Sequence, residues 1–317
     1  MTIRLDEIID DLNARRALAS KKYRDDPLPA TDKEARLSLE REIAKYGLAE
    51  YVVELDIRGY TILPPGLGAP VELIDRVRQA ILRVAEAREA GQYGQGFGAA
   101  KGAGRLYHHL LPEDPVFEEA ALSPVMLTLV TYLAGYRAKL ALMAGSIKTN
   151  ASDAAFAFHN DISSVVPPPW PTQSMTANVN WLLTDYSREN GALCVVPGSH
   201  LWCKPPPPEL KMAHDHPDVE VVHAPAGSLI VWHAGLWHGA LPRTAEGQRI
   251  LMIMLFQRPY LSIAEEFWLT TTAEMIERNP ARFGVLTGMV GLHPWCWDRG
   301  PQPEFAPEMT TDMGRWT

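Results

Sequence analysis

The stretch "GSLIVWHAGLWHGALPRTAEGQRILMIMLFQRP", Gly227 to Pro259, holds two apolar runs joined by a short polar return. A glycine turn leads into the first run, His238 falls on an expected bend, and the second run opens at Arg249. The 11 residues from His238 to Arg249 are enough for an antiparallel return that brings both toward one pocket. In the second run, period two turns Arg249 to the same face as Leu251, Ile253 and Leu255, the face expected to meet the core. An arginine buried in an apolar strand is costly unless an anion pairs with it. A bound dicarboxylate would supply one, gripped by the planar guanidinium.

From about Arg137 onward the chain keeps this texture of short β-type segments between turn signals. The expected strands are Lys139–Thr149, Ala154–His159, Thr176–Thr184, Ala192–Pro197, Val219–His223, Ser228–His233 and Arg249–Arg258. About eight such antiparallel strands suit a double-sheet jelly roll. Upstream, residues 1–50 read as a helical extension with charge pairs on a solvated face. "GYTILPPG" (Gly59–Gly66) reads as a short strand, and Val71 to Ala90 as a helix with Ile74, Val77, Ile81 and Val84 on one face. The expected organisation is a helical extension at 1–50, a β-built domain with supporting helices at 51–262, and a partly helical tail at 263–317 packed on that domain.

Composition narrows the function classes. The chain has 317 residues, 46% hydrophobic and 21% charged, which is ordinary for a globular protein. A net charge of −8 and the lack of a basic cluster beside aromatics argue against nucleic acid. Three cysteines, Cys194, Cys203 and Cys296, form no C-x-x-C pair and read as free thiols of a reducing compartment. The acidic, amphipathic start "MTIRLDEIIDDL" does not have a signal peptide's layout. The most apolar region, Ser123 to Gly145, is broken by Arg137 and Lys139 before the roughly 20 residues a bilayer needs. A cytoplasmic protein without a membrane span is expected. The glycine-rich run "GQYGQGFGAAKGAG" (Gly91–Gly104) fails as a phosphate loop: Lys101 precedes Gly102 rather than Ser or Thr, and a helix rather than a strand comes before it. It reads as a surface loop or lid.

The chemistry starts at "FHND", Phe158 to Asp161. In an extended segment His159 and Asp161 share a face, so both can bind one ion. A further histidine from a distant strand would complete a two-histidine, one-carboxylate facial triad of the kind that binds non-haem iron. Alone the motif is weak, since the chain holds 10 histidines. His233 rivals His238 as third ligand, His200 closes a Pro-Gly-Ser-His turn, and His108 and His109 read as loop histidines. Arg258, at the end of its strand, is the lesser rival of Arg249.

Three ordered blocks, "FHND" at 158–161, "LLTDYSRENGALCVVPGSH" at 182–200 and "HGALPRTAEGQR" at 238–249, resemble the phytanoyl-CoA dioxygenase-like family of Fe(II)- and 2-oxoglutarate-dependent oxygenases. The resemblance covers roughly residues 45–260. It implies a mainly β fold with helical flanks, a double-stranded β-helix (jelly roll, cupin-like) core with N-terminal helices. It implies iron held by His159, Asp161 and His238, the distal carboxylate of 2-oxoglutarate held by Arg249, and dioxygen as second cosubstrate. Lys148 matches a lysine common on a preceding strand and is a candidate contact for cosubstrate or substrate. Asn178 and Asn180 share a strand face, where buried amides need a polar partner, and are candidates for cosubstrate and substrate respectively. Trp170, in the proline-stiffened "ISSVVPPPWP" (Ile162–Pro171), is expected on a rim that shields the oxidant. One departure stands out: family members often carry a serine two residues after the distal histidine, and here it is Ala240.

The expected activity is oxidation of an unactivated C–H bond of a small molecule, by hydroxylation, desaturation or ring closure. The rim carries no basic residues for coenzyme A phosphates, which favours a free molecule of secondary metabolism over an acyl-CoA. Two other classes use the same residues: a metal-binding jelly-roll module without activity, and a zinc-type hydrolase, which would leave Arg249 without a purpose. The oligomeric state is not legible.

Overall fold

The computed structural model describes residues 5–89, 105–149, 156–212, 215–290 and 314–317. The expected loop at Gly91–Gly104 and Cys296 lie outside them. Helices α1 (Leu5–Asp25), α2 (Asp32–Tyr46) and α3 (Ala49–Arg58) lead into β1 (Tyr60–Leu63) and α4 (Val71–Glu89). Then come β2 (Arg105–Tyr107), α5 (Pro115–Ala121), α6 (Pro124–Ala134), β3 (Lys139–Thr149), β4 (Phe156–His159), β5 (Thr176–Leu182), β6 (Leu193–Val196) and β7 (Glu220–Val221). The strands β8 (Leu229–His233), β9 (Trp237–Ala240) and β10 (Gln248–Gln257) precede α7 (Phe267–Thr270), α8 (Ala273–Arg278) and α9 (Ala281–Leu286).

The strands form two antiparallel sheets. The larger runs β1-β8-β5-β10-β3-β2 and the smaller β4-β9-β6-β7. Strand β10 is the hub, pairing with β3 on one side and β5 on the other. Its alternation separates two apolar layers. Ile250, Met252, Met254 and Phe256 join the main core with Val77 and Ile81 of α4 and Met126 and Leu129 of α6. Leu251, on the other face, joins Leu182, Leu193, Val195, Ile230 and Trp232 in a second cluster contributed by both sheets. Arg249 shares that second face with Leu251, as the alternation of its strand led one to expect.

Two expectations are corrected. His238 sits on a strand, β9, rather than a bend, because β9 is sandwiched between β4 and β6 and its backbone is paired on both sides. The short edge strand β2, too brief for a periodic signal, pairs with β3 and was not foreseen.

The flanking helices are tied to the far end of the chain. Ala19 and Tyr23 of α1 pack with Ile276, Val285 and Val290. Lys22 donates to the carbonyls of Ile276 (2.8 Å) and Glu277 (2.6 Å), where a helix end leaves acceptors unpaired. Helix α2 opens with a capping box at Thr31 and Glu34 and ends at Gly47, whose φ of 66° suits glycine. Among the described residues no single helix is long and apolar enough to cross a membrane, and only the bent pair α5 and α6, largely buried here, approaches that length together. Cys194 and Cys203 are free thiols.

Candidate metal centre

The triad is assembled by pairing and by one pinned turn. His159 on β4 and His238 on β9 are directly opposed across the ladder, with ring centroids 4.2 Å apart. Asp161 follows β4 on a turn fixed from outside, where the amides of Asp161 and Ile162 both donate to the Ala234 carbonyl at 3.0 Å. The ligand atoms of His159, Asp161 and His238 all lie within 4.8 Å of one another.

Each ring is oriented by its own strand. Nδ1 of His159 lies 2.7 Å from the Ala157 carbonyl, and Nδ1 of His238 lies 2.9 Å from that of Leu236. A carbonyl only accepts, so both Nδ1 atoms carry hydrogen and both Nε2 lone pairs face Asp161, at 3.7 Å from Oδ1 and 3.5 Å from Oδ2. The carboxylate is held in turn. Asn178 Nδ2 donates to Asp161 Oδ2 at 2.8 Å and Trp232 Nε1 at 3.2 Å, supports that commonly orient metal ligands.

Burial pushes the His238 imidazole down to about 4, partly offset by Asp161, so it is neutral at pH 7 as a metal ligand must be. Burial also works to raise the Asp161 carboxyl, but His238, His159 and the Trp232 N–H outweigh it and hold it ionised below the usual range. For His159, burial is outweighed by its bond to Asp161 and the nearby charge, and its affinity for a proton rises. Two imidazole nitrogens and one carboxylate oxygen on one side of an ion suit ferrous iron with positions left open.

A second cluster lies in the same cavity, of about 200 Å³. Lys148 on β3 and Arg249 on β10 are directly opposed, and both are buried. Lys148 donates to the Leu241 carbonyl at 2.8 Å, and Arg249 donates to the Gly191 carbonyl, with its guanidinium 5.4 Å from the Tyr186 ring centroid. Burial, with repulsion from Arg249 and Arg243, pushes Lys148 down to about 8. Arg249 Nε and Asn180 Oδ1 are buried with no hydrogen-bond partner among the described residues. The cavity therefore has a metal-ligand end and a cationic end.

Of the residues singled out from the sequence, His159, Asp161, His238, Arg249, Lys148, Asn178 and Asn180 all line this one cavity. Asn178 is committed to Asp161. Trp170 is not among the lining residues: its Nε1 donates to Val166 at 2.8 Å and its ring packs with Ile162, Met175 and Ala234. The loop's own backbone bond turns that ring inward on the loop. His233 is outside the triad's cavity, its ring tilted against that of His200 at 4.9 Å and its nitrogens on Thr172 O and Gly235 N. Arg258 is spent on three carbonyls, Ser174, Leu133 and Arg315. Sequence reasoning missed Trp232 and Tyr186. The inward alternation of β8 offered a signal for Trp232; Tyr186, beyond the end of β5, offered none.

A profile of the family described as phytanoyl-CoA dioxygenase (PhyH) matches residues 55–251, which carry every residue of both clusters. The chain belongs to the phytanoyl-CoA dioxygenase family. Among curated relatives, Dioxygenase af480 of Aspergillus fumigatus is 29% identical over 154 residues, 48% of either chain. An uncharacterized protein of Mycobacterium tuberculosis is 27% identical over 132 residues, 42% of this chain and 45% of the other. The chain spans about half the length of these curated relatives. Among solved structures, HygX of Streptomyces hygroscopicus, with nickel, 2-oxoglutarate and hygromycin B bound, superposes with a TM-score of 0.55 at 19% identity, covering 68% of this chain and 89% of that one. The carbocyclase SnoK from nogalamycin biosynthesis gives 0.53 at 19% identity, covering 68% and 86%. These likenesses are of fold, a jelly-roll core with added N-terminal helices.

Proposed function

We propose that this chain is a non-haem Fe(II)- and 2-oxoglutarate-dependent dioxygenase that oxidises an unactivated C–H bond of a small organic molecule, with release of succinate and CO2. The observation that carries the reading is one cavity with a two-histidine, one-carboxylate cluster at one end and buried Lys148 and Arg249 at the other. Membership of the family supports it, as does the 2-oxoglutarate bound by HygX.

In this reading Nε2 of His159, Nε2 of His238 and a carboxylate oxygen of Asp161 hold the iron. Iron bound there would supply dioxygen activation coupled to oxidative decarboxylation of 2-oxoglutarate. Arg249 grips the distal carboxylate, and its Nε supplies a donor that has no partner among the described residues. Lys148 adds a second charge on the same side. Asn178 and Trp232 keep Asp161 aimed, while Leu193, Leu251 and Trp232 give this part of the cavity apolar walls that keep water from the reacting groups. A zinc hydrolase would not need the cationic end. Anaerobic loading with Fe(II), followed by a succinate assay with and without dioxygen, tests the reading: succinate formed equally without dioxygen, or not formed under any metal, would sink it.

A further inference from the structure

The cavity of about 200 Å³ is smaller than the roughly 300–1,000 Å³ of sites for drug-sized ligands, and its cationic end already suits a small dicarboxylate. The molecule to be oxidised must then rest largely on the sheet face that continues from it. That face can be traced by register. Asn178, bonded to Asp161, is opposed on β10 by Leu255, which is opposed on β3 by Leu142. One step along, Asn180 is opposed by Ile253 and then Ala144, while Leu106 of β2 is opposed by Ser146. Directly opposed residues share a face, so Leu255, Leu142, Ile253 and Leu106 form an apolar floor beside the triad.

Among the described residues the floor is incompletely covered. All four side chains are partly exposed, whereas their alternates Met143, Met252, Met254 and Phe256 are buried in the core behind. Leu106, Leu142 and Leu255 belong to none of the apolar clusters formed by the described residues. The floor holds no charge. Among the described cavity-lining residues the charged groups are Asp161, Lys148 and Arg249, with the triad's histidines.

At the outer edge stands one polar group. β2 ends at Tyr107, and its alternation carried one residue further points His108 to the face of Leu106, just outside the residues that line the cavity. Its Nδ1 lies 3.1 Å from Oε1 of Glu265, which is 3% exposed and also accepts the amides of His109 (3.2 Å) and Met143 (3.1 Å). A carboxylate accepts, so Nδ1 carries the hydrogen and, in the neutral ring, Nε2 is the acceptor. From β5 to β2 is three strand spacings, about 14 Å.

Building on the oxygenase reading, we propose that the substrate is a neutral, largely hydrocarbon molecule that lies on this floor, with a hydroxyl donating to His108 Nε2 and the carbon to be oxidised at its opposite end, over the triad. The length of the floor then selects which carbon is presented, and His108 is a specificity residue rather than a catalytic one.

The test uses the intact protein with Mn(II) and 2-oxoglutarate, and three probes of equal chain length: 1-octanol, octanoate and octylamine. Saturation-transfer NMR measures their binding, and paramagnetic broadening by Mn(II) reports which end lies nearer the metal. The expected result is octanol binding at least tenfold tighter than either charged probe, with its methyl end broadened more than its hydroxymethyl end. Leu255→Asn and, as a second variant in case the first misfolds, Leu142→Asn should weaken octanol fivefold or more. His108→Phe should erase the difference in broadening between the two ends, an effect that a merely edge-capping role for His108 would not produce. Equal or tighter binding of a charged probe, greater broadening of the hydroxymethyl end, or full octanol affinity in both leucine variants would overturn the proposal. If Mn(II) fails to bind the triad while octanol still binds the wild type and not the leucine variants, the oxygenase reading fails and the floor stands. Tight Mn(II) and 2-oxoglutarate binding without any octanol binding rejects the floor alone.

Discussion

Lys148 is 1% exposed and faces Arg249 across the β3–β10 ladder, and its ammonium is pushed from an ordinary 10.5 down to about 8 by burial and by the charges of Arg249 and Arg243. At 1.36 kcal/mol per unit, holding that proton in the ligand-free protein costs roughly 3 kcal/mol. The sign follows from proton counts. Between pH 8 and 10.5 the unfolded chain keeps a proton on Lys148 that the folded chain has lost, so this group's contribution to stability rises with pH through that window. Below pH 8 both states are protonated and the full cost is present. A bound dicarboxylate reverses the preference, because its charge favours the protonated lysine. Binding of 2-oxoglutarate should therefore be pH-independent below about 8 and weaken about tenfold for each unit above it, giving roughly a tenfold loss between pH 7 and pH 9. Calorimetry on the Mn(II)-loaded protein, in buffers of different ionisation enthalpy, should register uptake of nearly one proton at pH 9 and almost none at pH 7. Lys148→Met should bind more weakly at pH 7 and lose the pH dependence. Equal affinity at pH 7 and 9 without proton uptake would refute the reasoning and assign the carboxylate to Arg249 alone.

Arg249→Ala should weaken 2-oxoglutarate by more than tenfold, at least ~2 kcal/mol for a charge-assisted pair in a buried site, while Fe(II) affinity stays within error in the same titration. His159→Ala or His238→Ala should abolish tight anaerobic Fe(II) binding and leave the circular dichroism largely unchanged, since both side chains project from a scaffold with its own core; unchanged iron affinity would remove that residue from the triad. Asn178→Leu should lower metal affinity about 10–100-fold by releasing Asp161, and metal competition titrations would read it. A carboxylate ligand at Asp161 fills an iron position that chloride would otherwise need. With Asp161 in that position, excess chloride should yield no chlorinated product by mass spectrometry, and finding one would show that Asp161 is not a ligand.

What could be read without the fold was whatever depends on local periodicity. The inward face of Arg249 and the shared face of Asn178 and Asn180 follow from strand alternation alone, and both survive in the structure; His159 and Asp161 also converge, but through a turn after β4 rather than an extended segment. The apolar stripe of α4 was legible for the same reason. Pairing across long stretches of chain was not. The opposition of His159 to His238 and of Lys148 to Arg249 depends on strand register, which is set by how both sheets bury their faces at once, and a slip of one residue would turn each side chain to the other face. The same reason explains the misses. His238 was expected on a bend because three residues around a glycine make no strand until β4 and β6 flank them. Trp170 was expected on a rim, and nothing local reveals that its N–H donates to Val166. The floor of Leu106, Leu142, Ile253 and Leu255 comes from three strands far apart in the chain, so only tertiary structure makes it a surface.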